Sequence, residues 1–143
     1  MPDADCVFCR ILAGTEEASF VYRDERVAAF MDIAPVNPGH LLVVPVKHAA
    51  RLSELDPAAG ARMFEVAHEA AAVLGRAGLK CEGVNLFLAD GAAAGQDVLH
   101  VHLHVFPRSR GDGFGLRLPP GYGASPGRAE LDRIAERIRS GLQ

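Results

Sequence analysis

His100-Val101-His102-Leu103-His104 lies inside an apolar run, residues 98–106, that is followed by Pro107. Hydrophobic residues fill the run and proline is expected to stop it, so the stretch reads as a β-strand. Side chains alternate faces along a strand, which puts the three imidazoles on one face and Leu99, Val101, Leu103 and Val105 on the other, toward a core. Three titratable rings in a row are a poor way to fill a core, because each brings two ring nitrogens that need partners. At strand spacing His100 and His104 stand about 13 Å apart, so one metal ion cannot take all three. A central histidine flanked by two others suits nucleophilic catalysis. A neutral imidazole held in one tautomer has a free nitrogen with which to attack. His100 and His104 are then positioned to fix geometry, bind an anion or move a proton.

Upstream, Asp90-Gly91-Ala92-Ala93-Ala94-Gly95-Gln96 is a small-residue loop. Such a loop lets backbone N–H groups approach an oxyanion closely, and Gln96 adds a neutral donor. Further upstream, residues 19–24, 27–32, 40–46 and 84–89 read as short strands. Asp56-Pro57 reads as a helix start, with Met63, Val66, Ala67, Ala70, Val73 and Leu74 at helical spacing and Gly78 at the end. Residues 6–12 read as a short helix or turn. Residues 111–127 are rich in glycine and proline and read as a loop. Ser125-Pro126 then opens a last helix with Leu131, Ile134 and Ile138 on one face. Turn-joined strands favour an antiparallel sheet, so the expected fold is α+β: five antiparallel strands, one long inserted helix and a C-terminal helix.

A chain of 143 residues with 49% hydrophobic content fits one domain with an ample core. The domain is expected to span 1–143, with its core about 6–115. Net charge is −3, and no basic stripe marks a nucleic-acid surface. No apolar stretch is long enough to cross a membrane. The start, Met1-Pro2-Asp3-Ala4-Asp5, is polar and does not read as a signal peptide. Three cysteines, Cys6, Cys9 and Cys81, do not make a disulfide framework, and a cytoplasmic location is the expectation. Cys6-x-x-Cys9 has metal-ligand spacing, and two ordinary thiols are the alternative reading.

The stretch from Gly95-Gln96-Asp97-Val98 through His100-Val101-His102-Leu103-His104 to Phe106-Pro107-Arg108 resembles the histidine-triad family of nucleotide hydrolases and transferases. So do Phe30-Met31-Asp32-Ile33, Pro38-Gly39-His40-Leu41-Leu42-Val43-Val44-Pro45 and Lys47-His48. Cys6-x-x-Cys9 and Gly111-Asp112-Gly113-Phe114 resemble the bacterial branch. The likeness runs over residues 6–115 with its motifs in order. It implies attack by His102 on the α-phosphate of a purine nucleotide, giving a nucleotidyl-histidine intermediate that water resolves. Dinucleoside polyphosphates and adenosine phosphoramidates are the implied substrates. The resemblance further implies Asp32 on the ribose hydroxyls and Phe8 and Phe30 along the base. It implies Gly95, Gln96, Asp97 and His104 near the phosphate, with His40 as support beneath the triad.

The same resemblance implies a structural zinc ion held by Cys6, Cys9, His48 and His100, no organic cofactor, magnesium only as company for a polyphosphate, and a homodimer. Asp97 stands where many members have Ser, and Ala89 where many have Asn. Both changes remove a donor near the transferred phosphate, and losing a hydrogen bond to a charged group costs about 1.5–3 kcal/mol. The expectation is weakened phosphoramidate turnover or a shifted substrate choice. Two other readings stay open: a metal-dependent phosphohydrolase with His100 and His102 on a catalytic ion, and a nucleotide-binding module without turnover.

Overall fold

The computed structural model describes residues 3–142. Met1 and Pro2, the first two residues of the polar start, lie outside it, as does Gln143. The strands are β1 (Phe20–Arg23), β2 (Val27–Met31), β3 (Leu41–Pro45), β4 (Gly83–Phe87) and β5 (Leu103–Arg108), and the helices are α1 (Val7–Ala13), α2 (Pro57–Leu74) and α3 (Arg128–Gly141). The strands form one antiparallel sheet in the order β1-β2-β3-β5-β4. The expected α+β class and the five antiparallel strands hold. Among the described residues, no helix is long and apolar enough to cross a membrane.

Alternation along β2 explains how the sheet is covered on both sides. Val27 and Ala29 join Leu41, Val43, Val105 and the α2 residues Met63, Val66, Ala67 and Leu74. Ala28 and Phe30 join Leu42, Val44 and the α1 residues Phe8, Cys9 and Ile11. Both faces are buried, so β2 and β3 are apolar almost throughout. α2 starts where its sequence says. The Asp56 carboxylate accepts from the Ala58 N–H at 3.2 Å, and Pro57 occupies the first turn, where its missing N–H is not needed.

The histidine strand departs from expectation. β5 begins at Leu103, and His100 and His102 precede it. β3 pairs β5 through Leu41–Val43 opposite Val105–Leu103. Continuing that register would bring Pro45, which has no N–H, opposite Val101. The chain peels away instead, and the Val101 N–H goes to the Ala49 carbonyl at 2.8 Å. Leu99 is therefore 62% exposed instead of facing the core. Pro107 does not end the strand. It pairs with Val84 inside β5, and its carbonyl accepts from Asn37 on the other side, beyond the end of β3, where no ladder N–H is required. α3 begins at Arg128, later than Ser125-Pro126 suggests, and has no buried residue.

Candidate active site and metal centre

Four ligand-type atoms converge where the peeled segment passes α1. The Cys6 Sγ lies 3.4 Å from His100 Nδ1, and Cys9 Sγ lies 3.3 Å from His48 Nδ1 and 3.6 Å from His100 Nδ1. The two Nδ1 atoms are 3.2 Å apart. Around tetrahedral zinc, metal–sulfur and metal–nitrogen bonds of about 2.3 and 2.0–2.1 Å place ligand atoms about 3.3–3.8 Å apart. The donor set and its edge lengths fit such an ion closely. His100 Nε2 faces the Pro45 carbonyl at 2.8 Å. A carbonyl only accepts, so Nε2 carries the proton and Nδ1 keeps its lone pair for a ligand. Burial pushes the His100 imidazole down to about 4, with the Pro45 contact opposing, which keeps the ring neutral as ligation requires. Burial also raises the Cys9 thiol, so its thiolate form needs a neighbouring cation.

His40, His104 and His102 form a second, linked arrangement whose tautomers follow from their partners. Val36 N–H donates to His40 Nδ1 at 2.9 Å. His40 must then hold its proton on Nε2, which donates to His104 Nδ1 at 2.9 Å. His104 is left with its proton on Nε2, an outward donor. The His102 Nδ1 is 2.7 Å from the His100 carbonyl, so it carries a proton, and the neutral ring then has its lone pair on Nε2, which stands 3.3 Å from Asp97 Oδ1. The His102 and His104 rings are 4.9 Å apart, and Phe8 packs edge-on to His102 at 5.2 Å. Burial, aided by His102 and His40, pushes His104 down to about 4, against the pull of Asp32 and Asp97. Burial lowers His40 as well, with Asp32 opposing.

A linkage effect follows. Unfolding returns His104 to about 6.5, so below that pH the unfolded chain takes up a proton that the folded chain refuses. Stability is full above about 6.5 and is lost as pH falls toward 4. The His104 share of this loss is expected to be about 1 kcal/mol between pH 6.5 and 5.5. Thermal melts of the parent and His104→Asn at saturating zinc measure it. The variant is expected to lose fewer degrees over that range, and an identical slope contradicts the assignment.

His102 and His104 open onto a cavity of about 290 Å³. Phe8, Phe30, Asp32 and Asp97 line it, together with Val7, Ile11 and Leu42. Phe8 and Phe30 are at once core and wall: both are buried and their rings meet at 5.5 Å. The Asp32 Oδ1 accepts from the Ala34 N–H at 2.8 Å, and Oδ2 lies 3.4 Å from His40 Nε2. Gly95, Gln96 and Ala89 are not among the lining residues, and His40 stands behind His104. Both ends of the Gln96 amide are engaged by the backbone. Its Oε1 accepts from Gly91 N–H at 2.8 Å, and its Nε2 donates to the carbonyls of Ala50 at 2.8 Å and Val98 at 2.9 Å. Gln96 thus ties the small-residue loop to the peeled segment. Gln96→Leu keeps the volume but strands three polar groups, and is expected to destabilise the fold by about 2–4 kcal/mol in denaturant titration. A loss under about 1 kcal/mol contradicts this role.

Sequence reasoning missed several parts of the arrangement. The Val36 N–H sets the tautomers of the pair, and the Pro45 and His100 carbonyls orient two rings. Backbone groups carry no residue-type signal, although Pro45 at a strand end hints at a break. Glu16 and Glu17 also line the cavity, and nothing in their local pattern points there.

The family model described as HIT domain matches residues 13–111. An uncharacterized HIT-like protein of Borreliella burgdorferi is 40% identical over 114 residues, covering 79% of this chain and 82% of that one. The crystal structure of a HIT family protein from Bacillus anthracis superposes with a TM-score of 0.87 at 36% identity, over 98% of this chain and 99% of that one. A Zn-bound histidine triad family protein from Mycobacterium smegmatis superposes with a TM-score of 0.74, also at 36% identity, over 96% and 95% of the two chains. With the family model spanning most of its length and its histidines arranged as described, this chain belongs to the HIT domain family.

Proposed function

We propose that the chain is a nucleotide hydrolase or nucleotidyltransferase that works at the α-phosphate of a purine nucleotide through a covalent intermediate on His102. One observation carries this reading. His102 is 3% exposed and held by the His100 carbonyl, with its Nε2 lone pair at the cavity beside the outward donor of His104. In the first step the Nε2 lone pair forms a bond to phosphorus, and the bond to the leaving group breaks. The leaving group departs with that electron pair and takes a proton from water if it is an amine. The His104 Nε2–H donates to a non-bridging phosphate oxygen, where charge builds in the transition state. Water then attacks phosphorus and gives up a proton to solvent, and the His102 nitrogen leaves with its pair.

Supporting parts follow from the lining. Phe30, Phe8 and Leu42 offer an apolar slot for the base. Asp32 retains acceptor capacity on both oxygens for the ribose hydroxyls. Gly95 and Gln96 act through loop shape, since neither lines the cavity and their N–H groups bond the Ala92 and Gly91 carbonyls within the loop. Cys6, Cys9, His48 and His100 would hold a structural zinc ion, a closed set that leaves no position for substrate. Its chemistry is to pin α1 to the peeled segment. Magnesium belongs with a polyphosphate substrate, and no organic cofactor is needed. A homodimer is supported by the outer edge of β4, where Leu86 and Phe87 are 38% and 44% exposed.

A metal-dependent hydrolase is the second reading, with Asp32, His40 and His104 as a further set of clustered ligand atoms. His102 belongs to neither cluster. Adenosine phosphoramidate and diadenosine tetraphosphate, assayed for AMP release, separate the readings. Release that requires His102 supports covalent catalysis. Release that survives His102→Ala but stops with a chelator supports the metal route, and AMP binding without release supports a binding module.

A further inference from the structure

The cavity in front of His102 has an unusual charge for a phosphate site. Its lining includes four carboxylates, Glu16, Glu17, Asp32 and Asp97, and no lysine or arginine among the described residues, although Arg10 reaches Glu16 from outside the lining at 3.5 Å. Asp97 is the closest to the chemistry. Its Oδ1 lies 3.3 Å from His102 Nε2, and Val98 N–H donates to the same oxygen at 2.9 Å, which holds the carboxylate in place. The side chain is 77% exposed, so its charge faces the incoming ligand and not a buried cation. On its far side Asp97 also lines a second groove whose other charged groups are Asp3 and Asp5. For attack, phosphorus must come within about 3–3.5 Å of Nε2. The non-bridging oxygens then stand close to Asp97, and the in-line leaving group lies on the side of phosphorus away from Nε2, so a charge at its far end is about 6–8 Å from the carboxylate.

Resting on the hydrolase reading above, we propose that Asp97 is a specificity-determining residue that sorts substrates by the charge of the leaving group. It favours nucleoside phosphoramidates whose amine carries a second, protonated nitrogen, and disfavours anionic leaving groups such as a polyphosphate chain. The physical basis is Coulombic. A charge about 6–8 Å from a largely solvated carboxylate gains or loses about threefold in binding, with the sign set by its own charge. A hydroxyl at this position would donate to a phosphate oxygen whatever left; a carboxylate cannot, and discriminates instead.

A matched series tests this: the aminoethyl, propyl and carboxyethyl phosphoramidates of adenosine monophosphate, which keep the scissile bond while the far end is cationic, neutral or anionic. The parent protein is expected to rank them in that order, with a cationic-to-anionic ratio of kcat/KM of about 10. Asp97→Asn keeps the shape and is expected to shrink the ratio at least about threefold, chiefly through KM, while Asp97→Glu restores much of it. Added salt is expected to compress the parent's ratio and leave that of Asp97→Asn nearly flat. Turnover of all three with the same ratio in parent and Asp97→Asn overturns the proposal and leaves the hydrolase reading standing. Turnover of none overturns the hydrolase reading, and this proposal with it.

Discussion

Alanine at His102 is expected to lower nucleotide release by about 10⁴-fold or more, with the fold intact and nucleotide still bound. The size follows from the role. A residue that forms the bond to phosphorus has no substitute nearby, because His104 holds its lone pair toward His40 and offers the cavity only a proton. His100 is also ruled out, since its Nδ1 points into the Cys6, Cys9 and His48 cluster and its Nε2 to Pro45. Alanine at His104 removes a donor to the transition state and not the nucleophile, so a smaller loss of about 10²–10³-fold is expected there. Steady-state rates together with AMP affinity by calorimetry check both. Near-parental turnover by His102→Ala contradicts the assignment of the nucleophile.

Loss of the metal cluster is expected to have the largest effect on stability. Cys9→Ser, or a strong chelator acting on the parent, should remove one zinc ion per chain and lower the thermal midpoint by about 10 °C or more. The four ligands come from three separate stretches: Cys6 and Cys9 from α1 and its cap, His48 from just after β3, and His100 from just before β5. A closed zinc site of this kind binds with a free energy comparable to the whole stability of a small domain. Without the ion, burial still opposes ionisation of Cys9, and the cluster becomes four weakly paired polar side chains. The effect should reach catalysis too. The carbonyl that fixes the His102 tautomer belongs to His100, so loosening His100 loosens the nucleophile. Metal analysis and scanning calorimetry test this. A metal-free chain with an unchanged midpoint contradicts a structural zinc site.

The parts of the fold legible in the sequence are those governed by local pattern. Short apolar runs bounded by turn residues located β1 to β4, and Asp56-Pro57 located the start of α2 to the residue. β5 was misplaced because the apolar run 98–106 has no local break. What ends its pairing is Pro45, distant in sequence, which denies residues 99–101 a ladder partner. The same non-local cause separated the three histidines into different duties. His100 turned to the cysteines, while His102 and His104 stayed at the cavity.

Within the site, residue types were readable and their partners were not. Cys6-x-x-Cys9 announces a metal pair by spacing, and His48 and His100 are implied as its partners by the family resemblance and not by any local pattern; the folded chain brings all four together. Gln96 stood out as a polar residue beside the triad, yet its amide is fully matched by backbone groups of Gly91, Ala50 and Val98. No side-chain pattern encodes that. Asp97 was noted as a departure from the family pattern, and its consequence became arguable only once its carboxylate was found beside His102 Nε2.

The most direct test of the central claim is mass spectrometry of the peptide carrying His102 after brief exposure to adenosine phosphoramidate and acid-free quenching. A labile adenylyl group on His102 is expected, formed within a turnover and absent from His102→Ala. AMP release by the parent with no adduct on His102 at any time in a single turnover would contradict it.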